Sequence, residues 1–270
     1  MLETRNVSIR FGGVQAAREV SIAIGEWEIV GIIGPNGAGK TTTFNMITGF
    51  YTPNTGSIWY KGRNVTGLAV DDRTALGMGR TFQNVGLVKG STVRQNLLTA
   101  QYLKADYSTV SGMLGEPSTF VVERELNDRA EALVGLLGLG DLLDTQVAGL
   151  PYGVLKRTEI ATVLATDPDV LLLDEPSSGM GPEEAHQLGD TLLDLRRDFG
   201  LSIAMIEHHV PLVMRVCDYV YCLNFGEMLA EGKPEEVRNH PAVVSAYLGE
   251  DVDPAAAALE GQLESLVEND

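Results

Sequence analysis

The sequence predicts an α/β fold carrying a helical insertion, and three observations lead to it. An apolar run over residues 28–33 enters a glycine-rich loop and then a helical stretch over 40–47, the order strand, loop, helix. Two later runs, 170–173 and 202–206, are nearly all apolar, as strands buried on both faces of a parallel sheet are. Between these parts, from about Ser91 to Thr166, the pattern changes to helical spacing.

The elements follow in order. Residues 6–10 and 19–24 read as strands of a small sheet, separated by the turn signal Gly12-Gly13. Thr52-Pro53-Asn54-Thr55-Gly56 reads as a turn, with a strand over 57–61 after it. Ser91 is placed as the N-cap of a helix over 92–103. A Ser/Gly/Pro-containing stretch over 108–118 follows. The next helix, over 120–137, carries Leu126, Ala130, Leu133, Val134 and Leu137 at helical spacing. The α/β pattern resumes with the strand at 170–173, a helix over 183–197 and the strand at 202–206. Beyond Gly249 the chain carries Glu250, Asp251, Asp253, Glu260, Glu264, Glu268 and Asp270 and no Lys or Arg. Asp253-Pro254 is a fair helix start, and Leu259, Leu263 and Leu266 share a face, so this tail reads as a short, solvated helix.

The chain has 270 residues, enough for one large domain or a core with a subdomain. Its formal charge of −17 argues against sequence-independent nucleic-acid binding, which uses Lys and Arg to neutralise phosphates, and against a basic membrane anchor. Cys217 and Cys222 have no metal-type spacing around them and read as small apolar side chains in a reduced compartment. The start lacks the basic and apolar regions of a signal peptide, and no apolar run approaches the ~20 residues of a membrane-spanning helix. The expectation is a cytosolic protein that meets a membrane only through a partner.

Gly34-Pro35-Asn36-Gly37-Ala38-Gly39-Lys40-Thr41 fits the pattern G-x-x-x-x-G-K-[ST]. Its glycines let backbone N–H groups turn inward as an anion nest at a helix N-terminus. In such a loop Lys40 reaches the β/γ-phosphates and the Thr41 hydroxyl is offered to Mg²⁺. Val170-Leu171-Leu172-Leu173-Asp174-Glu175 ends an apolar strand in two acids. Asp174 is expected near the metal, and Glu175 is placed to orient and deprotonate an attacking water. Together the two motifs describe a P-loop nucleotide hydrolase.

Further phrases narrow the class. Arg80-Thr81-Phe82-Gln83-Asn84, Leu150-Pro151-Tyr152-Gly153, Ser177-Ser178-Gly179-Met180 and Ile206-Glu207-His208 occur in a set order that resembles the ATP-binding-cassette (ABC) ATPases, from about residue 2 to Gly249. The resemblance implies a P-loop core with an N-terminal antiparallel β portion (1–87 and 166–249), a helical subdomain over 88–165 and an acidic tail over 250–270. It implies that Phe11 stacks on adenine, that residues 34–42 (Gly34, Pro35, Asn36, Gly37, Ala38, Gly39, Lys40, Thr41 and Thr42) bind the nucleotide, and that Thr41, Gln83 and Asp174 serve Mg²⁺. Gln83 is then the Q-loop glutamine and His208 the switch histidine acting beside Glu175 and Lys40. His208 is preferred to His209 because it stands two residues past the strand end.

Within the family, Phe11-Gly12-Gly13, the loop from Gly34 to Thr42, Arg80 to Asn84, Ile206-Glu207-His208, Gly179 and Ala246-Tyr247-Leu248-Gly249 resemble the branched-chain amino-acid importer ATPases. Lipopolysaccharide-export ATPases share several of these phrases, so export of lipid or lipopolysaccharide is the alternative, and a non-transport regulatory ABC protein is a third. The implied partners are a second ATPase subunit, identical or not, integral membrane permease subunits, with Gln83 to Val93 and the helical subdomain as the expected contact, and, indirectly, a substrate-binding protein. The implied location is the inner face of the cell membrane.

The chain departs from the family pattern at the signature, which usually reads L-S-G-G-Q or L-S-Y-G-Q. Pro151 lacks both the serine hydroxyl and a backbone N–H, and Val154 lacks the amide, leaving Tyr152, Gly153 and the helix dipole to face a nucleotide held by the other subunit. Gly181 stands where many relatives have Asp or Asn. In a heterodimer these changes predict unequal sites, with the site built from Lys40, Glu175 and His208 the faster.

Overall fold

The computed structural model of the chain describes residues 1–82, 85–102 and 117–248. Gln83, the stretch 108–116 and the acidic tail fall outside the described residues.

Two sheets organise the molecule. Strands β1 (Leu2–Phe11), β2 (Val14–Ile24), β4 (Thr55–Tyr60) and β5 (Arg63–Asn64) form an antiparallel sheet in the order β2-β1-β4-β5. Strands β3 (Ile29–Ile33), β6 (Met78–Arg80), β7 (Val170–Asp174), β8 (Ser202–Ile206), β9 (Tyr219–Asn224) and β10 (Glu227–Gly232) form the second, in the order β10-β9-β3-β8-β7-β6. Within it β3, β6, β7, β8 and β9 run parallel and only β10, hairpinned to β9, is antiparallel.

Every residue of β3, β7 and β8 is buried, because both faces of this sheet are covered. Alternate residues enter two separate cores. Ile29, Ile33, Leu171, Leu173, Ile203 and Met205 pack with the helical part, while Val30, Ile32, Val170, Leu172, Ala204 and Ile206 pack against the antiparallel sheet. Period-two alternation of the pleat thus distributes one apolar strand between two hydrophobic layers. Each such Leu or Ile contributes roughly 1.5–3 kcal/mol by leaving water.

Helices α1 (Lys40–Thr48) and α2 (Val70–Ala75) belong to the first third of the chain. Helices α3 (Val93–Tyr102), α4 (Pro117–Leu136) and α5 (Tyr152–Leu164), with a 3₁₀ turn at Gly140–Leu142, fill the stretch between β6 and β7. After β7 come α6 (Pro182–Phe199), α7 (Val210–Val216), α8 (Pro234–Arg238) and α9 (Pro241–Leu248). The expected apolar face of α4 packs as predicted: Ala130, Leu133, Val134 and Leu137, just past its end, are buried, and Leu126 is half-buried.

Among the described residues several details differ from the sequence expectation: β4 runs Thr55–Tyr60, starting inside the turn expected over 52–56 and ending one residue short of 61. The first two strands extend beyond 6–10 and 19–24, because Asn6 and Glu19 adopt positive φ (47° each) and shift the β1–β2 register, which breaks the alternation that marks a strand. Helix α3 is capped by Thr92 and not by Ser91. The Gln95 N–H donates to Thr92 Oγ1 (3.2 Å) while the Thr92 N–H donates to Gln95 Oε1 (2.9 Å), a reciprocal capping box. The β9–β10 hairpin has no counterpart in the expectation; it turns through Phe225 and Gly226, both at positive φ (47° and 78°).

Candidate functional site: a phosphate cradle beside an acid–histidine pair

The glycine loop leaves the carboxyl end of β3 and turns into α1. A side chain at Gly34 would place its Cβ 2.1 Å from the Leu223 carbonyl oxygen, and one at Gly39, where φ is 94°, would lie 2.6 Å from the Ala16 carbonyl oxygen. Only glycine fits either place, so the loop is folded tightly against β2 and β9. Helix α1 begins with no side-chain cap and no acid in its first turn, which leaves its N-terminal N–H groups and the positive end of its dipole for an anion. The Lys40 ammonium is buried and donates to the Pro35 carbonyl (2.8 Å) and to that of Gly34, so the loop's own carbonyls hold it in place.

Residues 36–42 line a cleft of about 410 Å³, and Glu175, His208, Val14 and Phe225 line it with them. Glu175 follows β7 and His208 follows β8, so the loop, the acid and the histidine all stand at the carboxyl ends of neighbouring parallel strands. His208 Nε2 lies 3.2 Å from Glu175 Oε1. That hydrogen bond is the largest influence on Glu175 and draws its carboxyl below the usual range; burial opposes it, and the charges of His208, Lys40 and Lys156 add to it. Glu175 itself has a φ of 48°, a left-handed conformation uncommon for a non-glycine residue, and its N–H is tied to the Ile206 carbonyl (2.9 Å). His209 points elsewhere: its Nδ1 is buried without a hydrogen-bond partner, and its backbone caps α7.

Asp174 closes β7 and is buried. Its Oδ2 accepts from Arg80 Nη2 at 3.2 Å, while Oδ1 is buried with no partner. Burial raises its carboxyl above the ordinary range, and the Arg80 charge and hydrogen bond pull against that. An orphaned carboxylate oxygen suits a hard cation such as Mg²⁺, which takes oxygen ligands and uses only one or two carboxylates.

At the start of α5, Pro151 is the N-cap and supplies no side-chain hydrogen bond; Tyr152 is exposed and Gly153 buried. The Tyr152 ring lies over Gly179, where an added Cβ would come within 2.7 Å of ring carbon Cδ1 and φ is 73°. Val154 is half-buried and packs on the helical core, which accounts for an apolar residue where the usual pattern has an amide. Gly181 is the N-cap of α6, its N–H donating to Glu184 Oε2 at 3.1 Å.

Phe11 is not among the residues lining the cleft; it is exposed at the end of β1, with its ring edge-on to Tyr51 at 5.0 Å. Gln83 lies outside the described residues. Sequence reasoning passed over Glu207, although it sits beside His208 in the same phrase. It is buried, and its carboxylate accepts from the N–H groups of Ser177 (2.8 Å), His208 (3.0 Å) and His209 (3.1 Å), joining the two segments that carry Glu175 and His208. A charged residue directly after an apolar strand was the available signal.

The strand–glycine loop–helix turn and the acid–histidine pair fit an ATP-binding cassette, and the chain belongs to the ABC transporter family, whose model matches residues 17–178. It is an ATPase subunit of that family. A second model, branched-chain amino acid ATP-binding cassette transporter, matches residues 227–253. The chain is 42% identical over 250 residues to the high-affinity branched-chain amino acid transport ATP-binding protein LivG of Salmonella typhimurium, covering 93% of this chain and 98% of that protein. It is 38% identical over 250 residues to BraF of Pseudomonas aeruginosa, with the same coverage. Among solved structures, a nucleotide-free ATP-binding cassette from an ABC transporter superposes with a TM-score of 0.79 at 31% identity, covering 93% of this chain and 99% of that one.

Proposed function

We propose that this chain powers an importer of branched-chain or related amino acids by binding and hydrolysing ATP with Mg²⁺. The observation that carries the reading is the Glu175–His208 pair on the wall of the Lys40 cleft, in a chain 42% identical to LivG of Salmonella typhimurium. Residues 34–42 cradle the phosphates, with Lys40 turning from the loop carbonyls to the β/γ-oxygens. Thr41, Asp174 and Gln83 hold Mg²⁺, which when bound neutralises phosphate charge. Glu175 accepts a proton from the attacking water, and His208 holds the carboxylate and the γ-phosphate in line. Phe11 stacks on the adenine from the rim.

Pro151, Tyr152 and Gly153 face the nucleotide on a second ATPase subunit. Core (1–87 and 166–249), helical subdomain (88–165) and tail (250–270) are the mechanical units. Dimer closure on ATP is the kind of rigid-body switch that moves a partner. The partner is a permease in the cell membrane, contacted through residues 83–93 and the helical subdomain, which places this subunit at the inner face. Exposed Phe50 and Phe82, 5.8 Å apart edge-to-face beside a cleft of about 220 Å³, support a contact there.

The test is reconstitution with the neighbouring permease and binding-protein gene products in vesicles. Leucine, isoleucine or valine raising ATP turnover and accumulating inside supports the reading. Stimulation by a lipid substrate alone overturns it.

A further inference from the structure

Helix α5 carries two buried charges, of which the catalytic account uses only the minor pull of Lys156 on Glu175. Lys156 and Glu159 are 1% and 4% exposed, one turn apart, with Nζ 3.5 Å from Oε2. Burying both in an apolar core brings little net stability, since well-packed apolar side chains often do as well. Their further hydrogen bonds are what apolar residues could not make.

Two of those four bonds go to one residue, Phe82. Lys156 Nζ donates to the Phe82 carbonyl (2.6 Å) and to the Asp174 carbonyl (3.3 Å). Glu159 Oε1 accepts from the N–H groups of Phe82 (3.0 Å) and Gly86 (3.3 Å). Both backbone polar groups of Phe82 therefore go to α5. One residue earlier the chain still belongs to the sheet. Thr81 N–H donates to the Leu172 carbonyl (3.0 Å), and Thr81 Oγ1 accepts from the Asp174 N–H (3.1 Å). The backbone passes from the sheet to the signature-bearing helix between Thr81 and Phe82.

We propose that Lys156 and Glu159 are positioning residues that make α5, the backbone at Phe82 and Gly86, and the Asp174 end of β7 move as one. The inference rests on the ATPase reading and deepens it. Movement of the signature at the head of α5 then reaches both the segment that frames Gln83 in sequence and the strand end that carries Asp174. Neither side chain touches nucleotide; they act through the backbone they hold.

The experiment compares the full-length chain with the Lys156→Met/Glu159→Leu double variant, which exchanges the ion pair for apolar side chains of similar size. In hydrogen exchange without nucleotide, the amides of Phe82 and Gly86 are expected to exchange at least tenfold faster in the variant, while those of β8 stay as they were. Affinity for a fluorescent ATP analogue without magnesium is expected to stay within twofold, and the KM for ATP within threefold. The kcat is expected to fall at least tenfold. Unchanged exchange at Phe82 and Gly86, or a kcat within twofold of the parent, overturns the proposal. Should the double variant fail to fold, Glu159→Met, which removes the acceptor oxygens at similar length and keeps Lys156, is held to the same readouts and thresholds. A parent chain that binds no ATP would remove the ATPase reading, whereas the nucleotide-free exchange comparison still decides the coupling.

Discussion

The imidazole of His208 and the carboxylate of Glu175 meet at 3.2 Å although 33 positions separate them in the chain, because β7 and β8 are neighbouring parallel strands that end level, Asp174 opposite Ile206. Each residue stands just beyond its strand, so strand register sets the distance between them. The left-handed φ of Glu175 (48°) is held in place by its own N–H bond to Ile206. Rigid strands set the coarse position, and the pair's hydrogen bond the fine one.

Glu175→Gln is expected to keep ATP binding while lowering kcat by about 10²–10⁴, the range for removing a general base. Rapid-quench measurement of one turnover, beside equilibrium nucleotide binding, separates the two effects. A variant hydrolysing within threefold of the parent would show that Glu175 is not the base.

The pH profile should carry the same pair. The His208 hydrogen bond, as the first cause, lowers the Glu175 carboxyl, so the base stays ionised to lower pH than an ordinary carboxylate. Stability from this pair is present above the unfolded-state range and lost as pH falls through the folded value. In His208→Ala the acid limb of kcat against pH should move upward. An acid limb that stays in place in the variant would separate Glu175 ionisation from the histidine.

Pro151→Ser gives α5 a favoured N-cap, and a gain of about 0.5–1 kcal/mol in unfolding stability is expected. It also restores a hydroxyl and a backbone N–H to the signature. One charge-assisted hydrogen bond to phosphate, worth roughly 1.5–3 kcal/mol, corresponds to one to two decades in rate. Turnover of the assembled complex decides it: an unaltered rate would dismiss the unequal-site idea, leaving the stability gain as the only effect.

Gly179→Ala should destabilise by about 1–3 kcal/mol and disturb Tyr152, because φ there is 73° and the new Cβ would meet the tyrosine ring. Denaturant unfolding gives the first number. Gly181→Ala, at an extended φ of −72° with open space around it, is the control and should change stability by less than about 1 kcal/mol.

ATP with Mg²⁺ at about 100 times its Kd should stabilise the chain by about 2.7 kcal/mol, seen as a rise in Tm. Asp174→Asn should lose the magnesium-dependent share of that rise, since Asp174 Oδ1 is the buried oxygen without a partner. An equal rise in both proteins would remove Asp174 from the metal's ligands.

Much of this was written locally. The loop from Gly34 to Thr41, the acids Asp174 and Glu175 and the apolar runs before them each depend on neighbours a few residues away, so strand, turn and helix signals sufficed. The strand starts at Leu2 and Val14 were not legible, because the irregularities at Asn6 and Glu19 are set by the partner strand's register and leave no period in the sequence. The cap of α3 was misplaced by one residue, since Ser91 and Thr92 are both good caps and only the Gln95 reply distinguishes them.

By itself, then, the sequence determined the cradle, the acid pair and the class of chemistry, because short-range geometry and residue type decide those. Tertiary structure alone decided what Glu207 holds, and that Lys156 and Glu159 take over the backbone at Phe82. Those contacts join residues as much as 77 positions apart, and a distance across the chain is set by sheet order and packing, which no local pattern encodes.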